Sequence, residues 1–301
     1  MNAVRVPWSS ASFLVYLGGI TILFATVVFT ALQAQDHGDA GFVLWALLIL
    51  GVVSAAALFA RGTGHFVTAG VLALTWVVAI LVFVGAVLEW FGWLPDDEEG
   101  GVFEGFRFWV LVFEIVAISA SAVALRLFRF PLLVLFLAAF SWFFVTDLIS
   151  GGGGWSAIVT IAVGLTLLLA GIAVDDGPSR PFGFWLHVGA GLTIGGGLLW
   201  FLNDGDFDWI VVGLIGLLYI VMGDRLLRSS WAVLGALGIL LSTAHFADKW
   251  TDAVSLVGFG AEQEHEWAAP VLFAAVGAVF IGIALWLTRR RREPVTGAEL
   301  L

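Results

Sequence analysis

Runs of about 20 consecutive apolar residues follow one another along this 301-residue chain. Charged residues, glycine or proline close each run. A soluble globular domain does not contain such a series, because its surface needs far more charge than the 12% found here. We therefore predict an all-α integral membrane protein with about ten transmembrane helices packed as antiparallel hairpins. The predicted spans are Trp8–Leu32, Phe42–Ala60, Phe66–Leu88, Phe106–Leu125, Pro131–Ile149, Trp155–Val174, Phe182–Leu202, Phe207–Gly223, Trp231–Ala247 and Pro270–Thr288.

The distribution of positive charge predicts the orientation of these spans. With a cytoplasmic N-terminus, all of the 13 lysine and arginine residues except Arg107 and Lys249 fall on the cytoplasmic side. Short positively charged loops stay in the cytoplasm, so both termini are predicted to be cytoplasmic. Residues 1–293 are predicted to form a single polytopic domain, and residues 294–301 a flexible cytoplasmic tail. The outer stretch 253–260 is apolar but too short to span, and whether residues 252–260 re-enter the membrane stays open.

Composition excludes several classes of function. The chain has no cysteine, which excludes disulfides, thiolate metal sites and cysteine nucleophiles. Its net charge of -10 argues against nucleic-acid binding, which requires a basic surface. No nucleotide-binding loop, zinc-protease motif or serine-hydrolase motif is present. We therefore predict no enzymatic activity, no catalytic residue and no cofactor. His65 and His187 could ligate a haem only if the helices that carry them were in contact.

The C-terminal third carries a recognisable pattern. Residues 217–223 lead through Arg225 and Arg228 into the small-residue helix that begins at Trp231, followed by His245 and a last helix that ends in Arg289–Arg292. This pattern is similar to that of uncharacterised multi-pass bacterial membrane proteins grouped as domains of unknown function. The resemblance implies a bacterial cytoplasmic (inner) membrane, and it implies no activity or site residues.

One acidic residue interrupts the fourth predicted span. Glu114 lies about two turns from the outer end of that span, where a carboxylate is costly unless it is protonated, paired or facing a polar cavity. Arg107, seven residues earlier, lies on roughly the same helical face. The sequence leaves open whether Glu114 binds a proton or cation on a transport path or forms a structural pair with Arg107. The polar residues that could line such a path are Ser119, Thr146, Asp147, Thr193 and Ser242.

A weaker candidate for metal binding lies on the outer face. His245 and Asp248 are three residues apart at the end of the ninth predicted span, and His265 follows in the next loop. Imidazole and carboxylate groups could bind a divalent ion, but the ligand spacing matches no known motif. An acidic, solvated loop is the alternative interpretation, and no metal site is predicted.

Two functions are consistent with these features. The absence of catalytic motifs and the abundance of small residues favour a non-catalytic scaffold or accessory subunit, which would contact lipid and a membrane protein partner or a second copy of itself. Glu114 and the acidic outer face favour the alternative, a small-solute or ion transporter that carries a cation or is coupled to protons. An intramembrane enzyme is a third, less favoured, possibility.

Overall fold

The computed structural model describes residues 38–93, 108–149, 153–175, 180–226, 228–251 and 268–291, together with residues 18, 21, 24 and 177. This part of the chain contains nine α-helices and no strand. The helices are α1 (Gly38–Gly62), α2 (Phe66–Trp90), α3 (Phe108–Phe128), α4 (Leu133–Ile149), α5 (Gly153–Val174), α6 (Arg180–Phe201), α7 (Asp206–Arg225), α8 (Ser229–Thr251) and α9 (Ala268–Arg291).

The nine helices follow the second to tenth predicted spans, and every end lies within four residues of its prediction. Seven of the nine are long and apolar enough to cross a membrane. The chain is therefore an all-helical, multi-pass membrane protein. The first predicted span, Trp8–Leu32, lies outside the described residues except at positions 18, 21 and 24, so the count of ten spans stays a prediction. Residues 252–260 and the tail after residue 293 also lie outside the described residues.

The chain divides into two compact units, residues 1–198 and 199–301. The predicted single domain over residues 1–293 stays a prediction. In the first unit, consecutive helices from α1 to α5 pack against one another as hairpins. The small side chains along α2 and α3 let these helices approach closely. Their core consists of alanines and aliphatic residues from α1, α2 and α3, closed at one end by Phe128, Phe130 and Leu133.

The turn between α3 and α4 positions the aromatic end of this core. Arg129 has φ 52°, which is the left-handed conformation that often ends a helix but that a residue other than glycine adopts at a cost. The following residue, Phe130, is fully buried. Its ring covers the backbone of Gly70, where any side chain would collide with it.

Helices α5 and α6 meet along three glycines in one antiparallel register. Gly164 faces Thr193 and Ile194, Gly171 faces the ring of His187, and Gly197 faces Ile161. A Cβ built on Gly197 would lie 2.9 Å from the carbonyl oxygen of Ala157. Glycine at these positions therefore permits backbone contact between the two helices, as is common inside membranes.

The second unit is built around the α7–α8 hairpin, with α9 packed against α8. Gly216 and Gly235 face each other where the two helices cross, and a Cβ on Gly216 would lie 2.6 Å from the Gly235 carbonyl oxygen. The Ser242 hydroxyl donates a 2.7 Å hydrogen bond to the carbonyl of Trp209, and so fixes the other end of the hairpin.

Candidate functional site

Glu114 is buried in the first unit. Its side chain is 6% exposed, and it lies six residues, or about 9 Å, beyond the first residue of α3. Helix α3 is otherwise apolar between Phe108 and Ser119, so the neighbouring side chains on this helix offer the carboxyl group no polar partner. Its partner must come from another helix.

That partner is Asp147, two residues before the end of α4. The carboxyl groups of Glu114 and Asp147 lie close enough to interact. Two ionised carboxylates are both acceptors and cannot bond each other, so a hydrogen bond between them requires a proton on one of them. Asp147 is only partly buried. The pair therefore combines a buried acid with one that reaches the surface of the unit.

One oxygen of the pair could bind a further water molecule, proton or cation. Within the described part of the chain, Oε2 of Glu114 is buried and has no hydrogen-bond partner. A buried oxygen left in this state is costly, and a water molecule, a proton or a cation at this position would remove the cost. We define Glu114 and Asp147 together as the carboxyl pair.

The other polar residues that could line a path to Glu114 differ in their burial and in their hydrogen-bond partners. Thr146, next to Asp147, is buried, whereas Ser119 is exposed on the outside of α3. Thr193 on α6 donates a 2.8 Å hydrogen bond to the carbonyl of Gly189. Ser242 belongs to the second unit and bonds Trp209. Arg107 lies outside the described residues, so the predicted ion pair with Glu114 stays a prediction.

A second buried ionisable contact lies in the first unit, between α5 and α6. His187 is fully buried, and its Nε2 lies 2.9 Å from Oδ2 of Asp175, whose side chain is 20% exposed. The sequence alone assigns no role to this pair. The predicted helical hairpin could have indicated this contact. An acid just after one helix and a histidine two turns into the next lie at the same end of an antiparallel hairpin.

The weaker metal candidates of the second unit are partly described. Nε2 of His245 lies 3.4 Å from Oδ1 of Asp206, and the ring stacks on Trp209 with centroids 4.8 Å apart. Lys249 forms a salt bridge with the same Asp206 carboxylate. The side chain of Asp248 and all of His265 lie outside the described residues. No group of three ligating side chains occurs among the residues that are described, and the metal prediction stays untested.

Comparisons with protein-family models, with curated proteins and with solved structures found no match to this chain. The resemblance of the C-terminal third to uncharacterised bacterial membrane proteins therefore stays a prediction.

Proposed function

We propose that the protein transports protons across the bacterial cytoplasmic membrane, and that the carboxyl pair is its proton-binding site. The single observation that carries this proposal is the close approach of the Glu114 and Asp147 carboxyl groups within the helix bundle. A hydrogen bond between them would hold a proton, and Oε2 of Glu114 has no partner within the described residues.

The energetic cost of the pair supports a functional role. An acidic side chain costs about 3 kcal/mol at the centre of a membrane helix in insertion measurements, and Glu114 lies about 9 Å beyond the first residue of α3. A structural pair would reduce this cost by joining an acid to a base, as an arginine would do. Among the described residues it is a second acid, Asp147, that faces Glu114, and this arrangement favours a proton shared at the site.

The position of Asp147 supports exchange of that proton with the outside of the bundle. Asp147 lies near the end of α4 and is partly exposed, whereas Glu114 lies deeper. Arg61 and Arg126 lie in the last turns of α1 and α3, at the opposite end of the same hairpins. Positive charge favours the cytoplasmic side, so we propose that the carboxyl pair opens outward and that both termini are cytoplasmic.

A scaffold or accessory subunit remains the alternative proposal. It would need no buried acid pair, but the lack of catalytic motifs and the small-residue helix contacts are compatible with it. A partner protein or a second copy would then cover part of the helical surface. We likewise propose, from the sequence, that the protein is not an enzyme.

Proton flux into proteoliposomes tests the proposal. Purified protein is reconstituted with a pH-sensitive dye inside, and a potassium diffusion potential drives proton entry. We expect the wild-type protein to acidify the lumen faster than empty liposomes do. Glu114→Gln and Asp147→Asn should reduce that rate to the level of empty liposomes, because neither variant can share a proton between two carboxyl groups.

Glu89→Gln is the matched control. Glu89 is an exposed carboxyl group near the end of α2, at the same end of the unit as the carboxyl pair, and its removal should leave the flux unchanged. Wild-type flux in both Glu114→Gln and Asp147→Asn would contradict the assigned site. A wild-type protein no faster than empty liposomes would contradict proton transport and leave the scaffold standing.

A further inference from the structure

We infer that His187 and Asp175 form a second proton-binding site of the same transport unit, at the end opposite to the carboxyl pair. This inference rests on the proposed function, and it assigns a role to the other buried ionisable contact of the first unit.

The local geometry is that of a proton acceptor with access to the surface. The imidazole of His187 is fully buried, whereas the Asp175 carboxylate bonded to its Nε2 is partly exposed. A Cβ on Gly171 would lie only 3.1–3.3 Å from the ring, so glycine leaves the imidazole room against α5. Asp175 directly follows Val174, the last residue of α5, and therefore lies at the margin of the helix bundle.

The two sites lie at opposite ends of the first unit. Helices α3 and α5 run in the same direction because α4 forms hairpins with both. Glu114 lies near the start of α3 and Asp147 near the end of α4, which is the end of the unit where α5 begins. Asp175 follows the end of α5, at the opposite end. The 22 residues of α5 span about 33 Å, close to the thickness of a hydrocarbon core. A proton crossing the membrane through this unit would thus meet one titratable pair near each surface.

Polar side chains occupy the interval between the two sites, along one face of α5. Thr160 accepts a 2.9 Å hydrogen bond from Nε1 of Trp142 on α4. One turn further the Thr193 hydroxyl packs on Gly164, and two turns beyond that His187 packs on Gly171. Positions 160, 164 and 171 are four and seven residues apart, which keeps them on one helical face.

Consecutive positions in this series are separated by about 6 to 10 Å along the axis of α5. They exceed the length of a direct hydrogen bond, so transfer requires water molecules between the polar groups. The chemical step at the second site is balanced. The imidazole nitrogen takes a proton from a hydronium or water donor to form an imidazolium ion, which the Asp175 carboxylate stabilises. The imidazolium ion then releases the proton on its Nε2 through the Asp175 carboxylate to a water molecule at the exposed edge of Asp175, and the neutral imidazole is restored.

The test measures flux in the same proteoliposomes. We expect His187→Gln and Asp175→Asn to reduce proton flux to the level of empty liposomes, and Asp175→Glu to restore it because the carboxylate returns. His65→Gln is the matched control, since His65 is an exposed histidine at the start of α2, and it should transport like the wild-type protein. Each variant is first shown to be monodisperse in detergent.

The outcomes separate this inference from the proposed function. If His187→Gln and Asp175→Asn transport at the wild-type rate while Glu114→Gln does not, the second site is wrong and the carboxyl pair stands. If the wild-type protein does not transport protons, both proposals fail. If His187→Gln does not fold, Asp175→Asn decides, because Asp175 is partly exposed and follows the helix end.

Discussion

Some polar residues inside the first unit bond partners on neighbouring helices. The bond from Trp142 to Thr160 is one such contact, and it joins α4 to α5 between the two proposed proton sites. Replacing Trp142 by phenylalanine keeps an aromatic ring but removes the N–H donor. Hydrogen bonds between membrane helices contribute about 0.6 to 1.7 kcal/mol, so Trp142→Phe should lower the free energy of unfolding by that amount.

Thermal unfolding in detergent measures this effect, with Trp155→Phe as the control. Trp155 is exposed near the start of α5, and its replacement should leave the unfolding midpoint nearly unchanged. Equal midpoints for Trp142→Phe and Trp155→Phe would show that the Trp142 bond does not stabilise the hairpin.

At the residue scale, the sequence drew attention to individual ionisable residues but did not predict which of them contact each other. Glu114 is conspicuous because it interrupts an apolar run, and Asp147 is recognisable as a polar residue near a helix end. Their close approach depends on how α3 and α4 are rotated about their axes, and short apolar segments do not specify this rotation. His187 and Asp175 were hidden for the same reason, since their contact depends on the glycine at position 171.

At the scale of the helix, the sequence predicted where segments begin and end but not how they pack. Apolar runs closed by charge, glycine or proline define the helix boundaries, because backbone N–H and C=O groups without hydrogen-bond partners are excluded from lipid. The predicted Phe66–Leu88 and observed Phe66–Trp90 illustrate this agreement. Contacts such as Gly216 with Gly235 were beyond prediction, because many glycines occur along the chain and only some lie at an interface.

The α7–α8 crossing provides a prediction at this scale. Gly216→Ala should lower the free energy of unfolding by about 1 to 3 kcal/mol, because its Cβ would meet the backbone of α8 and force the helices apart. Gly277→Ala on α9 is the control, since a Cβ there meets nothing within 4 Å. Thermal unfolding of both variants in detergent measures the difference. A Gly216→Ala midpoint as high as that of Gly277→Ala would refute the close helix crossing.

At the scale of the whole molecule, the account depends on which segments cross the membrane. The cysteine-free chain allows this to be measured with single cysteines. Thr63, after α1, and Phe91, after α2, are both exposed. An impermeant maleimide applied to right-side-out vesicles should label Phe91→Cys and leave Thr63→Cys unlabelled until the vesicles are opened. Labelling of both positions from one side would contradict a membrane-spanning α2.

The central claim is that one proton is shared by Glu114 and Asp147, and infrared spectroscopy of the purified protein tests it most directly. A protonated carboxyl group has a C=O stretching band that shifts in heavy water and is distinct from the bands of a carboxylate. At the pH of the flux assay, we expect this band in the wild-type protein and in Glu89→Gln, its displacement in Asp147→Asn and its loss in Glu114→Gln. An identical carboxyl spectrum in the wild-type protein and Glu114→Gln would contradict the account.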